Sequence, residues 1–187
     1  MSIIKNNIVK KGKILISEPT INDDIFHNSV VFITEYSKEL VVGFILNKPM
    51  NLVLGDLIPD IINFNITIYK GGPVASDNLY FIHKIPHKIN GSIHIIDDLY
   101  WGGDFKQVTE LINSNKIKTN EIRFFLGYSG WSFDQLKNEV KLNSWMIDDL
   151  QFSIFNYEIS KLWINCLKKK KDQYQIWMNA PKDISLN

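Results

Sequence analysis

Apolar runs in the first half of the chain predict β-strands. Residues 29–35 and 40–46 are rich in β-branched and aromatic side chains, and a polar segment, 36–39, separates them. Such a pattern is typical of a β-hairpin. We expect the second arm to end before Pro49, because proline has no amide hydrogen to donate to a strand ladder.

The rest of this half contains shorter elements. A Gly71-Gly72-Pro73 turn closes one of the apolar runs, and its residue types permit a sharp reversal of the chain. The elements that we predict here are a short helix at 52–58, a strand at 66–70, and the two arms of a second hairpin at 79–84 and 92–97.

The second half changes to the period of amphipathic helices. Asp104 can cap a helix over residues 105–113, another helix follows from Phe133, and a last helix is expected near 157–170. Cys166 lies on the apolar face of this last helix, so we interpret it as a small buried hydrophobe. Because no repeat or linker divides the chain, we expect residues 1–187 to form one domain in which sheet and helices share a core.

Gly127, Tyr128, Ser129, Gly130 and Trp131 follow an apolar strand predicted at 122–126. Two glycines permit a tight or left-handed backbone. The next helix opens with Ser132 and Gln135 in a capping-box pattern, which leaves amide donors at its positive end. We therefore predict a loop between strand and helix, where a catalytic or anion-binding site could form.

Composition and charge exclude several classes of protein. With 45% hydrophobic and 22% charged residues the chain is neither a disordered tail nor a disulfide scaffold, and its single cysteine cannot form an internal disulfide. The first segment lacks the pattern of a signal peptide and no run approaches membrane-spanning length, so we expect a cytoplasmic protein without a membrane partner. A formal net charge of +1 and a single arginine, Arg123, argue against reading of DNA bases.

Six motifs follow one another along nearly the whole chain. They are Gly12-Lys13-Ile14-Leu15-Ile16 with Pro19, Phe26-His27-Asn28-Ser29-Val30-Val31, Gly43-Phe44-Ile45-Leu46-Asn47-Lys48-Pro49, Gly71-Gly72-Pro73-Val74, Leu126-Gly127-Tyr128-Ser129-Gly130-Trp131 with Gln135-Leu136, and Trp145. In this order they resemble the AlgH/YqgE family of bacterial proteins. The resemblance implies an α+β fold: a single domain with a barrel-like mixed β core flanked by helices. Family members are often labelled transcriptional regulators, which implies a role in gene expression, and no catalytic residues come with that label.

Two hypotheses about a site follow from the glycine-rich segments. In the first, backbone amides of both segments bind a phosphate or carboxylate, since glycine lets amides approach an anion. In the second, Ser129 is the nucleophile of a small hydrolase, although the Gly-x-Ser-x-Gly spacing of the nucleophile elbow is not met. The candidate ligand-binding residues are Gly71, Gly72, Pro73, Gly127, Tyr128, Ser129, Gly130 and Trp131.

Other motifs carry less chemistry. His83 and His94 could face each other across the second hairpin, but no third ligand has a fixed spacing, so we predict no metal site and no cofactor. Lysines 168–171 form a basic cluster that a helix carboxyl end explains. We predict a non-catalytic regulatory module that binds a small anionic ligand or a protein partner and does not recognise DNA sequence. The alternative is a serine hydrolase that uses Ser129.

Overall fold

A curled, mostly antiparallel β-sheet dominates residues 8–61 and 64–170, the parts of the chain that the computed structural model describes. The strands of this part are β1 (Lys13–Ser17), β2 (Val30–Tyr36), β3 (Val41–Ile45), β4 (Pro49–Val53), β5 (Thr67–Lys70), β6 (Val74–His83), β7 (Ile93–Ile96), β8 (Leu99–Trp101), β9 (Ile122–Trp131) and β10 (Trp145–Asp149). The α-helices are α1 (Leu54–Leu57), α2 (Phe105–Asn113), α3 (Phe133–Lys141) and α4 (Leu162–Lys168).

The sheet curls so that its ends approach each other. Eight strands follow the order β10-β1-β2-β3-β9-β6-β8-β7, while β4 pairs with β5 and β5 pairs with β9. The β5–β9 pair is parallel, which makes the sheet mixed. Lys11 Nζ donates to His94 O at 2.8 Å, and a Cβ on Gly12 would lie 2.9 Å from Ile96, so the start of β1 meets β7. The predicted α+β fold with a barrel-like mixed core flanked by helices is confirmed; that residues 1–187 form one domain stays a prediction.

Strands in the middle of the sheet are buried on both faces. Along β2, Val30 and Phe32 belong to the core cluster on the inner face, whereas Val31 and Ile33 belong to a second cluster on the outer face. Successive strand residues point to opposite faces, so an unbroken apolar run is what a doubly buried strand requires. Helix α4 packs into the inner core, and α3 and α2 cover two parts of the outer face.

Most of the expected elements are confirmed. The first hairpin is β2 and β3, the short helix is α1, and the strand before Gly71 is β5. Asp104 caps α2 by accepting from the amides of Lys106 and Gln107, and Ser132 caps α3 by accepting from the amide of Gln135. The last helix is shorter than expected, because a 3₁₀ turn, Ile159–Lys161, precedes α4.

The expected second hairpin is wrong. Strand β8 lies between the two segments that we paired, since it pairs with β6 on one side and with β7 on the other. The real hairpin joins β7 to β8 through Asp97 and Asp98, and Asp97 adopts a positive φ of 48°. A two-residue turn of this kind needs positive φ, which aspartate tolerates better than most residues. The sequence signal was this pair of aspartates, which we read as the end of a strand.

The expected loop at residues 127–131 is also wrong, because β9 continues to Trp131. From Phe125 onwards its residues alternate between buried and half-buried positions, which is the period of a strand with one accessible face. The helix begins where predicted, at Phe133, directly after the Ser132 cap. The two glycines therefore do not make a strand-to-helix turn.

Gly127 instead marks the place where β9 changes partners. Phe124, Phe125 and Leu126 pair with β5, whereas Ser129, Gly130 and Trp131 pair with β3. Gly127 has φ of 66°, and a Cβ there would lie 2.6 Å from Gly72 O. Only glycine satisfies both the left-handed backbone and this close approach.

We expect Gly127→Ala to destabilise the protein much more than Gly102→Ala. Gly102 has nearly the same φ, 65°, but nothing lies within 4 Å of its Cβ position. Both alanines carry the left-handed penalty of about 1–2 kcal/mol, and only the one at 127 adds overpacking, typically about 1–3 kcal/mol. Urea unfolding of both variants measures the difference. Equal losses of unfolding free energy would show that the approach to Gly72 relaxes without cost.

Candidate functional site

The two glycine-rich segments singled out in the sequence lie against each other. Gly71 N donates to Leu126 O at 2.8 Å, and Ser129 Oγ donates to Gly71 O at 2.9 Å. A Cβ on Gly72 would lie 2.3 Å from Ser129 N, so the two backbones are in direct contact. The turn after β5 therefore packs onto β9 at the point where β9 leaves β5.

This contact leaves only part of the predicted ligand site accessible. Pro73 is exposed, and Tyr128 and Gly130 are half-buried. The backbone of the last three β9 residues is engaged in the ladder with β3, which leaves little of the amide cradle that we expected of a loop. The remaining predicted residues, Gly71, Gly72, Gly127, Ser129 and Trp131, are buried. Their role in binding stays a prediction.

Ser129 is a fully buried residue whose hydroxyl bonds to backbone. The hydroxyl donates a hydrogen bond to Gly71 O. The same carbonyl oxygen also accepts from Ile45 N at 2.9 Å. None of the hydrogen bonds of the described part of the chain joins this hydroxyl to a histidine nitrogen. The ring nitrogens of His27, His83 and His94 bond instead to the carbonyls of Ile21, Gly102 and Asp97 and to the amide of Ile85. A hydroxyl held in this way has neither an adjacent base nor an open face.

A pair of lysines beside the Gly71 turn forms the most polar feature of this region. Lys48 and Lys70 are both half-buried, and Lys70 N donates to Lys48 O at 2.8 Å, which holds the ends of β4 and β5 together. Lys48 Nζ donates to His27 O at 2.8 Å. Lys70 directly precedes Gly71 in the chain, so the lysine pair and the glycine turn are parts of one surface.

Asn47 fixes the backbone that presents Lys48. Its Oδ1 accepts from Val30 N at 2.9 Å and its Nδ2 donates to Asn28 O at 2.8 Å, so the turn after β3 is tied to the loop before β2. A side-chain amide that bonds to backbone on both of its sides leaves that turn little freedom. The motifs at 26–31, 43–49 and 71–74 are thereby brought to one region of the sheet.

The lysine pair lacks an ion-pair partner in the part of the chain that the structure describes. Burial, and next the positive charge of Lys70, hold the pKa of Lys48 below its usual value, while Asp23 opposes the shift. The carboxylate of Asp23 is engaged locally, because it accepts from the amides of Ile25 and Phe26 at 2.8 Å each. Asp23 therefore offsets only part of the effect of burial and of Lys70 on Lys48, and it forms no ion pair with either lysine.

Sequence reasoning missed the lysine pair. The two residues are 22 positions apart, and their proximity depends on the pairing of β4 with β5, which we did not predict. The available signal was that each lysine stands at a strand end beside a proline or glycine of a family motif, Lys48 before Pro49 and Lys70 before Gly71.

Arg123, the sole arginine, is buried between two aromatic rings. Its guanidinium carbon lies 4.4 Å from the centroid of Tyr69 and 4.6 Å from that of Tyr157. Arg123 donates to the Tyr157 hydroxyl, which donates in turn to Leu46 O. Burial raises the pKa of this tyrosine despite the nearby guanidinium. The arrangement is a cation–π sandwich that fixes the segment before α4 to the inner face of the sheet.

The histidines do not come together as we considered. His83 and His94 lie on opposite sides of Tyr100, since each is in register with it across a different edge of β8. Burial lowers the pKa of His83, whose Nε2 lies 3.2 Å from Gly102 O. In the described ranges no three metal-ligating side chains cluster.

The basic cluster divides among separate contacts. Lys170 pairs with Asp148 at 3.2 Å, and Lys169 donates to Gln151 at 3.2 Å. Lys168 is exposed, and Lys171 lies outside the described residues.

No helix in residues 8–61 and 64–170 is long and apolar enough to cross a membrane.

Comparison with known proteins identifies the family. The AlgH-like family model matches residues 14–175. A UPF0301 protein of Cytophaga hutchinsonii is 40% identical over 96% of this chain and 100% of its own length, and one of Bacteroides fragilis is 39% identical over 99% of this chain and 95% of its own. The chain therefore belongs to the AlgH-like family. The solution structure of the AlgH protein from Pseudomonas aeruginosa has the same fold, with a TM-score of 0.70 at 22% identity over 98% of this chain and 99% of that one.

We expect Ser129→Ala to fold cooperatively and to lose only about 1 kcal/mol of unfolding free energy, the usual value of one hydrogen bond. The loss stays small because Gly71 O keeps its bond from Ile45 N. Thermal and urea unfolding measure it. A fluorophosphonate probe should not label the wild-type protein at Ser129, and labelling that disappears on heat denaturation would reinstate the nucleophile.

Proposed function

We propose that the protein is a non-catalytic binding module whose ligand is a small anion, held by Lys48 and Lys70 beside the Gly71 turn. The observation that carries this proposal is the pair of half-buried lysines without an ion-pair partner among the described residues. Burial, and next the positive charge of Lys70, make the ionised form of Lys48 more costly. A bound phosphate or carboxylate would remove that cost and would gain charge-assisted hydrogen bonds.

The site is organised before any ligand arrives. Asn47 holds the backbone of the Lys48 turn, His27 O orients the Lys48 ammonium group, and the β4–β5 ladder sets the position of Lys70. Little conformational entropy then remains to be lost on binding, which favours affinity for a small ligand. This preorganisation is the reason that we favour a small anion over a protein partner.

We also propose that any regulatory role is exerted without recognition of DNA sequence. Direct reading of guanine depends chiefly on arginine, whose fork matches two acceptors of the base. The single arginine of this chain is 8% exposed and lies between Tyr69 and Tyr157. Arg123 supports the fold, and its burial keeps the guanidinium away from the base edges in a DNA groove.

Inorganic phosphate should raise the pKa of Lys48 towards or above the usual 10.5. A lysine whose pKa is lowered on folding destabilises the charged protein at neutral pH, so an anion that restores the pKa must also stabilise the fold. NMR titration of ¹³C-labelled lysine side chains measures the pKa, and thermal unfolding in phosphate against chloride of equal ionic strength measures the stability.

Two variants complete this experiment. Lys70→Met should raise the pKa of Lys48 in the absence of ligand and weaken the phosphate effect, because it removes one of the two cations. Lys106→Met removes an exposed lysine from α2 and should change neither quantity. A phosphate effect of the same size in Lys70→Met and in the wild type would contradict the proposed site.

Titration of labelled genomic fragments at about 0.15 M salt should show only weak binding without sequence preference. Lysines can hold DNA through counterion release, but a net charge of +1 gives little long-range attraction. Promoter-specific binding with a dissociation constant near 10⁻⁸ M, about that of dedicated regulators, would overturn this view of regulation.

A further inference from the structure

A second concave surface, lined by neither Lys48 nor Lys70, lies between α4 and the segment that precedes it. It is a cavity of about 410 Å³, open to solvent on one side. Small-molecule sites occupy roughly 300–1,000 Å³. Phe152, Leu162 and Cys166 form its apolar wall, and Tyr157 of the cation–π sandwich belongs to the same lining.

The rim of this cavity carries two lysines that have no ion-pair partner among the described residues. Lys168 and Lys169 line it, and neither forms an ion pair within the described ranges; Lys169 instead contacts the neutral Gln151. The one carboxylate of the lining, Glu158, is occupied by Lys161 at 2.8 Å. The end of a helix favours lysines, which explains their presence but not the apolar cavity beneath them.

We infer that this cavity binds a small amphipathic carboxylate of the medium-chain fatty acid type. Its apolar chain would pack against Phe152, Leu162 and Cys166, and its carboxylate would lie at Lys168 and Lys169. Apolar lining with a few polar groups at one end is the composition of such sites. The inference is independent of the lysine pair at 48 and 70.

Another occupant to consider is the rest of the same chain. Residues 171–187 follow Lys170 and contain two lysines and two aspartates. Their side chains therefore bring no net negative charge to a positive rim, so charge complementarity favours a carboxylate ligand over this segment.

Cys166 allows the cavity to be probed directly. It is the only cysteine of the chain, and its side chain lies in the cavity wall, so a neutral maleimide reports on this place alone. Burial raises the pKa of the thiol to about 11, so labelling is slow and is followed over hours at about pH 7.5, where a maleimide still prefers thiols to lysine amines. Decanoate below its micelle concentration should slow the labelling, by about tenfold at ten times its dissociation constant.

The role of the rim is tested with a double variant and a neutral analogue. The double variant Lys168→Met with Lys169→Met should raise the dissociation constant of decanoate, measured from the protection of Cys166, about tenfold, which corresponds to about 1.4 kcal/mol. Lys137→Met on α3 should leave this constant unchanged. Decanol should protect the wild type less well than decanoate, and the two should become equal in the double variant. Unchanged melting temperatures would show that these exposed substitutions preserve the fold.

Three results would overturn the inference. Equal protection of the wild type by decanol and decanoate would mean that the lysines do not recognise the carboxylate. Labelling that is independent of both decanoate and protein concentration would mean that decanoate does not enter the cavity. Labelling that slows as protein concentration rises would mean that a second copy of the chain covers it.

Discussion

The direct contact between the backbone of Gly71 and Gly72 and the backbone of β9 is the constraint on which the sheet depends. Strand β9 pairs along one edge with β6, and along the other it pairs first with β5 and then with β3. Such an exchange of partners requires the end of β5 to leave the ladder without opening a gap. Gly71 achieves this by bonding to Leu126 and accepting from both Ile45 and Ser129, so that one residue joins three strands. A side chain at this position has no room, since its Cβ would lie 2.2 Å from Gly127 O.

This junction also explains where the lysine pair comes from. The chain that leaves β3 passes through Asn47 and Lys48, forms β4, and returns through β5 to reach Gly71. Because β5 must end at the junction, Lys70 is held next to Lys48 by the β4–β5 pairing. Two cations are thus kept together by backbone geometry rather than by an acidic partner. The rest of the fold has to offset the free energy of holding the two charges close together. Ionisable groups whose pKa is shifted by such surroundings are commonly found at functional sites.

The periodicity of apolar residues predicted the elements whose signals lie in their own residues. It failed for the strands whose position is set by pairing with other strands. The β2–β3 hairpin, α2 and α3 carry complete signals in their own residues: apolar runs around a polar turn, or a capping residue before an amphipathic stripe. Strand β10 carries no such signal, because its position depends on pairing with β1 at the other end of the chain, and β8 has only three residues between β6 and β7. Residues 127–131 show the limit most clearly, since two glycines read locally as a loop, yet one serves the partner exchange and the segment remains a strand. The candidate site shares this limit, because its motif residues were visible but their convergence was not.

A nearly neutral composition conceals how charge is distributed over this fold. The sole arginine is used inside the molecule, where Tyr69 and Tyr157 replace a carboxylate as its partners. That sandwich anchors the segment before α4, and the anchored segment in turn forms one wall of the 410 Å³ cavity. Two pairs of lysines then remain on the surface. Lys48 and Lys70 lie beside the Gly71 turn, and Lys168 and Lys169 lie at the rim of the cavity. Formal charge over the whole chain measures neither, because a binding site depends on the charge that its immediate surroundings leave uncompensated.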